Sequence, residues 1–434
     1  MSLLSYFREN YSLSWALIIA VAVKFFLFAL GIAIIGSDVS RTSLSTCGAQ
    51  GNIGASVFSS PYADLESYTD YRDLYMRCLV TPFLNGSGAY NLPIVNNYPP
   101  LFLYLLAGFA LVNVVWFSAI PLIIFDILTV IPIYKITNEF LTDRNGRVAF
   151  LVSLLWIVNP LNLFYSDLIW LNPAPTTFFL ILAFYLFMKE KWLFASIALA
   201  ISTGFKQVSI IFFPLMIILL WRTKGFSKSL LYFILSYVGL VLLISAPYLF
   251  ENPRFYLFAL SFPALGTPSG YSSAPPTFSA DLSQPVRLTF FLGLVKFVNL
   301  TTLASTTYQY LDYFFAIAFL IFLVYVLFRK STFTKGDAIV LGLAAMLIFF
   351  GLFGRGIYKY YFASLTPLAI PFMTSKRSAI LFELFSVAIL LAPREVSPWM
   401  ALLMLTFLPN VLGNRSSKPI ERQASTTQTN SVVS

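Results

Sequence analysis

Residues 14–36 read SWALIIAVAVKFFLFALGIAIIG, a run with a single charge, Lys24, among apolar and small residues. Wound as a helix, such a run spans a hydrocarbon core of roughly 30 Å. It begins shortly after Arg8 and Glu9, and no small-residue cleavage site of the A-x-A kind follows it. It is therefore expected to be a retained crossing and not a signal peptide.

Working outward, runs of about 15 to 24 apolar residues recur along the chain. Helices are expected at roughly 14–36, 115–135, 148–163, 174–188, 192–205, 208–221, 229–248, 309–328, 337–353, 358–374, 379–393 and 398–413. Composition agrees: 58% of the residues are hydrophobic, 11% are charged and the mean hydropathy is +0.80. A soluble domain is not built this way. A membrane barrel would instead show short alternating segments. The fold class expected is all-α: a polytopic integral membrane protein of about twelve transmembrane helices, surrounded by membrane lipids.

The net charge of +10 would suit a nucleic-acid partner if the basic residues formed one patch. They sit beside helix ends instead, among them Lys135, Arg144, Arg147, Lys189, Lys191, Arg222, Lys224, Arg329, Lys330, Lys335, Lys376 and Arg377. All fall in short connections that can share one side, which the positive-inside rule makes cytoplasmic. No nucleic-acid partner is expected. The stretch after Tyr98-Pro99-Pro100 is apolar too, but counting it as a crossing would put Arg144 and Arg147 outside. Residues 99–112 are therefore read as a helix in the outer interface.

The resulting organisation is a transmembrane module over 1–248, including a long outer loop at 37–98, followed by a second outer loop at 249–308. Further transmembrane helices cover 309–413, and 414–434, rich in Ser, Thr and Gln, reads as a disordered cytoplasmic tail. Cys47 and Cys78 share the first outer loop, where they are either paired in an oxidising milieu or free and buried. Sequons at Asn85 and Asn299 also fall in the outer loops.

Histidine is absent, so zinc sites and Ser/His/Asp triads are excluded. Carboxylates and cations remain. The first outer loop concentrates Asp64, Glu66, Asp70 and Asp73 with Arg72 among tyrosines. Asp167, Lys206, Arg355 and Lys359 fall at outer helix ends. Such convergence suggests a site where carboxylates handle a hydroxyl and cations hold a phosphate, against the plainer alternatives of a solvated loop and interfacial anchors. Lys24, Asp126, Asp312 and Glu383 lie within or near apolar helices and read as structural pairs, with Lys24 a partner for Asp126.

In order and spacing, Tyr68-Thr69-Asp70, Gly86, Tyr90, Tyr98-Pro99-Pro100-Leu101, Asp126-Ile127-Leu128-Thr129, Tyr134-Lys135, Leu155-Trp156-Ile157-Val158-Asn159-Pro160-Leu161 and Lys206 before Pro214 form a series. The series resembles the GT-C glycosyltransferases that use polyprenyl-phosphate sugars, in particular the catalytic subunit of GPI mannosyltransferase I and related prokaryotic mannosyltransferases. The resemblance covers roughly residues 60–222. It departs where the family's second Asp of an Asp-x-Asp pair is replaced by Arg72, with Asp73 one place later. Asp64 and Glu66 form an alternative pair.

The resemblance implies an inverting hexosyl or mannosyl transfer from a polyprenyl-phosphate (dolichyl-phosphate) sugar donor to a lipid- or protein-linked acceptor, outside the cytoplasm. Asp70 would be the base, with Asp73 and Asp167 as the other catalytic candidates. Lys206, Arg355 and Lys359 would hold the donor phosphate. A divalent cation, Mg or Mn, is left open as cofactor. The membrane would be a plasma membrane in a prokaryote and the endoplasmic reticulum in a eukaryote. A secondary transporter or lipid flippase is the alternative, and a non-catalytic subunit of a glycan-assembly complex a third reading.

Overall fold

The computed structural model describes residues 11–35, 71–88, 98–111, 115–141, 146–171, 173–253, 256, 311–329, 333–352 and 360–391. Among these residues there is no strand. The principal helices are α1 (Tyr11–Ile35), α2 (Pro100–Ala110), α3 (Ile120–Ile136), α4 (Gly146–Val158), α5 (Pro173–Met188) and α6 (Trp192–Phe205). They continue with α7 (Phe212–Lys224), α8 (Lys228–Glu251), α9 (Leu311–Phe328), α10 (Lys335–Leu352), α11 (Tyr360–Ala369) and α12 (Lys376–Leu391). Helical turns at Tyr71–Val80 and Val115–Ala119 flank α2 in sequence and pack against it.

Local chemistry sets several boundaries. Pro100 opens α2 at a position where its missing N–H costs nothing. Gly225, at φ 63°, ends α7 in a conformation that a side chain would resist. Ser227 then caps α8 by accepting a hydrogen bond from the Leu230 N–H at 3.4 Å.

Among the described residues five helical stretches are long and apolar enough to cross a membrane: Tyr11–Ala33, Trp116–Leu141, Gly146–Leu168, Gln207–Lys224 and Lys228–Glu251. Where the sequence leads one to expect about twelve crossings, some of the other helices are short, α6 having 14 residues and α11 only 10. Their brevity follows from interruptions: α6 stops at Lys206, and α11 carries Pro367 near its end.

The bundle is layered around α5 and α6, which pack on each other, with α3 against α5 and α8 against α6. α1 lies in the groove between α3 and α4. Its outer side exposes Phe25, Phe26 and Leu30, while α8 exposes Leu235, Leu242 and Leu243. Apolar side chains facing outward are what lipid as a solvent permits. α2 packs against α6 and α8 and buries Phe102, Leu103 and Leu106, with the Phe102 ring 5.2 Å from that of Tyr75.

Polar contacts gather helix ends onto one face. Glu139, just past α3, pairs with Lys189 beyond α5 at 2.6 Å and with Lys135 at 3.9 Å. Glu190 pairs with Lys224 at the end of α7 (3.1 Å) and with Lys335 at the start of α10 (3.4 Å). Arg222 donates to the Val326 carbonyl on α9 at 2.9 Å. Lys135, Lys189, Arg222, Lys224 and Lys335 are residues that the charge pattern assigned to a common side. The Lys224 hydrogen bond, opposed by partial burial and aided by Lys335, holds the Glu190 carboxyl below the usual glutamate range.

Candidate functional site

Asn159 leaves the helical conformation (φ −60°, ψ 121°), as a residue before proline tends to, and ends α4. Its side chain accepts from the Asn162 N–H at 3.3 Å and starts a new turn at Pro160. The chain then widens into a π-helical turn, Leu163–Leu168, and turns away through Trp170 at φ 56°. Wide turns of this kind re-aim side chains and are frequent at functional sites. Here the break and the turn after it leave Asn162, Ser166 and Asp167 buried, all at most 1% exposed.

Asp167 meets Lys24 there. The Lys24 ammonium donates to Asp167 Oδ2 at 2.9 Å and forms a close ion pair with Asp126 Oδ2 of α3. All three side chains are fully buried. Asn162 Nδ2 donates to Asp126 Oδ2 at 3.0 Å, and the Trp156 indole N–H donates to the Asp126 carbonyl at 3.2 Å. The Trp156 ring lies 5.7 Å from the ammonium. A single ion at the centre of a membrane helix costs roughly 2.5–3.5 kcal/mol on insertion scales. Pairing is what makes Lys24 tolerable in an apolar run.

α1 can approach because Gly31 has no side chain. A Cβ at that position would collide with the Leu168 carbonyl and meet the Trp170 indole. Trp170 completes the wall, its ring 5.3 Å from both Phe28 and Tyr71.

A second polar centre lies at another helix break. α6 ends at Phe205, Lys206 is extended (φ −154°, ψ 125°), and a short 3-10 turn, Gln207–Ile211, leads into α7. Ser202 bridges the break, hydrogen-bonded to Ser209 (2.7 Å) and donating to the Thr176 carbonyl of α5 (2.8 Å). Lys206, 2% exposed, places its ammonium 3.8 Å from the Tyr361 ring centroid and 4.5 Å from that of Tyr360. Among the described residues no carboxylate pairs with it. The Tyr165 ring, beside Ser166 and Asp167 in sequence, stands 6.3 Å from Tyr360 and joins the two centres. On the other flank, Asn159 Nδ2 donates to Ser386 (2.9 Å) and Glu383 (3.3 Å), tying α12 to the same break.

The structure thus adds Asp167 to the Lys24–Asp126 pair expected from the sequence and places Lys206 in the second centre. Asp64, Glu66, Asp70, Arg355 and Lys359 lie outside the described residues, as does Cys47. Arg72, Asp73 and Cys78 are on the turn Tyr71–Val80, but their side chains lie outside those described, as does that of Asp312. Asn162, Trp156, Tyr360 and Tyr361 were not singled out by sequence reasoning. The Asn-Pro dipeptide at 159–160 carried the signal for the first two, because it marks a helix break beside a buried carboxylate. Nothing in the sequence alone aims Tyr360 and Tyr361 at Lys206.

Residues of both centres fall within a segment that matches a known family model. Residues 63–269 match the family model of the GPI transamidase subunit PIG-U. The match takes in a little under half of the chain and contains Asp126, Asp167 and Lys206. No match to a curated protein was found.

This finding corrects the functional expectation drawn from the sequence. The resemblance to GPI mannosyltransferase I and its prokaryotic relatives gives way to a different family, and a transamidase transfers protein, not sugar. Glycosyltransferase activity, the polyprenyl-phosphate sugar donor and its lipid- or protein-linked acceptor are withdrawn with it. The base role expected of Asp70, Asp73 and Asp167 belonged to that reaction. The misreading has a physical origin: short motifs such as Asp126-Ile127-Leu128-Thr129 and Leu155–Leu161 place helix breaks and buried charges. They fix how the bundle is built, and one bundle can serve different chemistries.

Proposed function

We propose that this chain is a multi-pass membrane subunit of a GPI transamidase, the assembly that attaches proteins to GPI anchors, in the endoplasmic reticulum membrane. The observation that carries the proposal is the match of residues 63–269 to a GPI transamidase subunit. Its topology would be about twelve crossings in a GT-C-like arrangement, termini on the cytosolic side and loops 37–98 and 249–308 on the other. In support, described helices occupy eleven of the twelve stretches expected to be crossings, and the twelfth, 398–413, lies outside the described residues. The gathering of Glu139, Lys189, Glu190, Lys224 and Lys335 on one face supports the orientation.

Within this role, Lys206 is the group that would hold a phosphate of the GPI lipid. Among the described residues the buried ammonium meets only aromatic faces, which leave its donors unused, and a phosphate oxygen would fill them. The test is affinity purification of the tagged chain in mild detergent. A complex that attaches a GPI anchor to an acceptor protein is expected, and a chain that purifies alone and transfers sugar from a polyprenyl phosphate would overturn the proposal.

A further inference from the structure

At the end of α7 remote from Lys206, three mutually packed helices bring two arginines to one aromatic ring. Arg222 stands in the last turn of α7, Arg329 follows the end of α9, and Phe333 precedes α10. The guanidinium carbons of Arg222 and Arg329 lie 4.5 and 5.7 Å from the Phe333 ring centroid. Both arginines are half-buried. Glu190, the acid that meets the ends of α7 and α10, is engaged by Lys224 and Lys335. Asp337 of α10 accepts from the Thr334 N–H and hydroxyl at 2.7 and 2.8 Å. Among the described residues neither guanidinium therefore has a carboxylate partner. Helix capping accounts for little of this arrangement. Arg222 gives one N–H to the Val326 carbonyl, whereas a guanidinium carries five donors and a ring contact consumes none of them.

The surroundings are those of a membrane boundary. Trp221 and Phe226, both exposed and with rings 5.8 Å apart, flank Arg222 in sequence, and such rings gather at the level of lipid headgroups. From Arg329 an exposed apolar stripe runs back along α9 through Phe328, Val324, Ile321 and Ile317, spaced by three and four residues on one helix face. We propose that Arg222, Arg329 and Phe333 form a site for the phosphate of one anionic glycerophospholipid, whose acyl chain lies along the α9 stripe. Guanidinium donors match phosphate oxygens in geometry and charge. Basic pockets between helix ends recognise anionic headgroups in this way. The stripe begins where the cations end, which favours a phosphate that carries an acyl chain over a free one. This inference stands apart from the transamidase role and does not need it.

The test uses the full chain purified in dodecyl maltoside, washed free of lipid and titrated with dioleoyl-phosphatidylglycerol, with bound lipid counted by native mass spectrometry. Phosphatidylcholine with the same acyl chains and inorganic phosphate are the comparison probes. Expected is one phosphatidylglycerol per chain, retained at concentrations that leave phosphatidylcholine unbound and not displaced by inorganic phosphate. Arg329→Gln, which leaves the Arg222 bond to Val326 in place, should weaken binding about tenfold, the loss of one charge-assisted hydrogen bond. Adding Arg222→Gln should abolish the preference for phosphatidylglycerol. Lys191→Gln, at an exposed cation outside the cluster, should change it little. The thermal midpoint of each variant shows that it is folded, and should the double variant fail to fold, Arg329→Gln alone decides. Equal retention of phosphatidylcholine would overturn the proposal, as would displacement by inorganic phosphate or wild-type affinity in Arg329→Gln. A loss in Lys191→Gln as large as in Arg329→Gln would show a diffuse charge effect with no defined site, and that outcome also overturns it.

Discussion

Replacing Lys24 with Met keeps the length and apolar stem of the side chain and removes only its charge. In the native bundle that charge contacts Asp126 and Asp167, neither of them exposed to solvent. Asp126 would keep the Asn162 amide, whereas Asp167 would lose its ammonium donor. Breaking a buried pair by deleting one partner costs about 3–5 kcal/mol, because the other charge stays behind. The folded-to-unfolded ratio should fall by a factor of about 10² to 10⁴, and the thermal midpoint by on the order of 5 °C. The assay is denaturant-induced unfolding in a fixed detergent. The triple variant Lys24→Met, Asp126→Asn, Asp167→Asn should recover most of the loss, since no uncompensated charge remains. A single variant within about 1 kcal/mol of wild type, or a triple variant no better than the single one, would refute the electrostatic account.

Further outcomes follow from the same geometry. Gly31→Val should separate α1 from the Leu168 carbonyl and destabilise the chain by about 1–3 kcal/mol in the same unfolding assay, with no effect expected at Gly239, where a Cβ meets nothing. Lys206→Met should leave stability intact and reduce GPI attachment by the purified complex, whereas undiminished attachment would remove Lys206 from lipid binding. Because the Glu190 carboxyl sits below its ordinary range, the stability it lends is present above the unfolded glutamate pKa and is lost as pH falls through the lowered one. With 44% of the side chain exposed, the effect is screened and small. Glu190→Gln should flatten that part of the acid-unfolding profile, and a variant with the wild-type profile would contradict the assignment.

Much of the bundle was legible because membrane helices announce themselves by length and apolarity. The run around Lys24 and the stretch 229–248 are helices in the structure nearly to the residue. The pairing of Lys24 with Asp126 was legible too, since a lone charge in an apolar helix demands a partner. Asp167 was read as an outer helix end, and its burial beside Lys24 depends on the Asn159 break and the wide turn after it. Those features are set by tertiary packing, with Trp170 and Gly31 deciding how close α1 comes. Function was misread because the motifs that report such breaks carry no information on which reaction the bundle serves.

The claim that this chain serves protein attachment and not sugar transfer is tested most directly by the glycolipids that accumulate when it is depleted from its native cells. A transamidase subunit predicts complete GPI glycolipids left unused, together with precursor proteins that lack an anchor. Truncated GPI intermediates arrested before a mannose addition, with complete GPI absent, would contradict it.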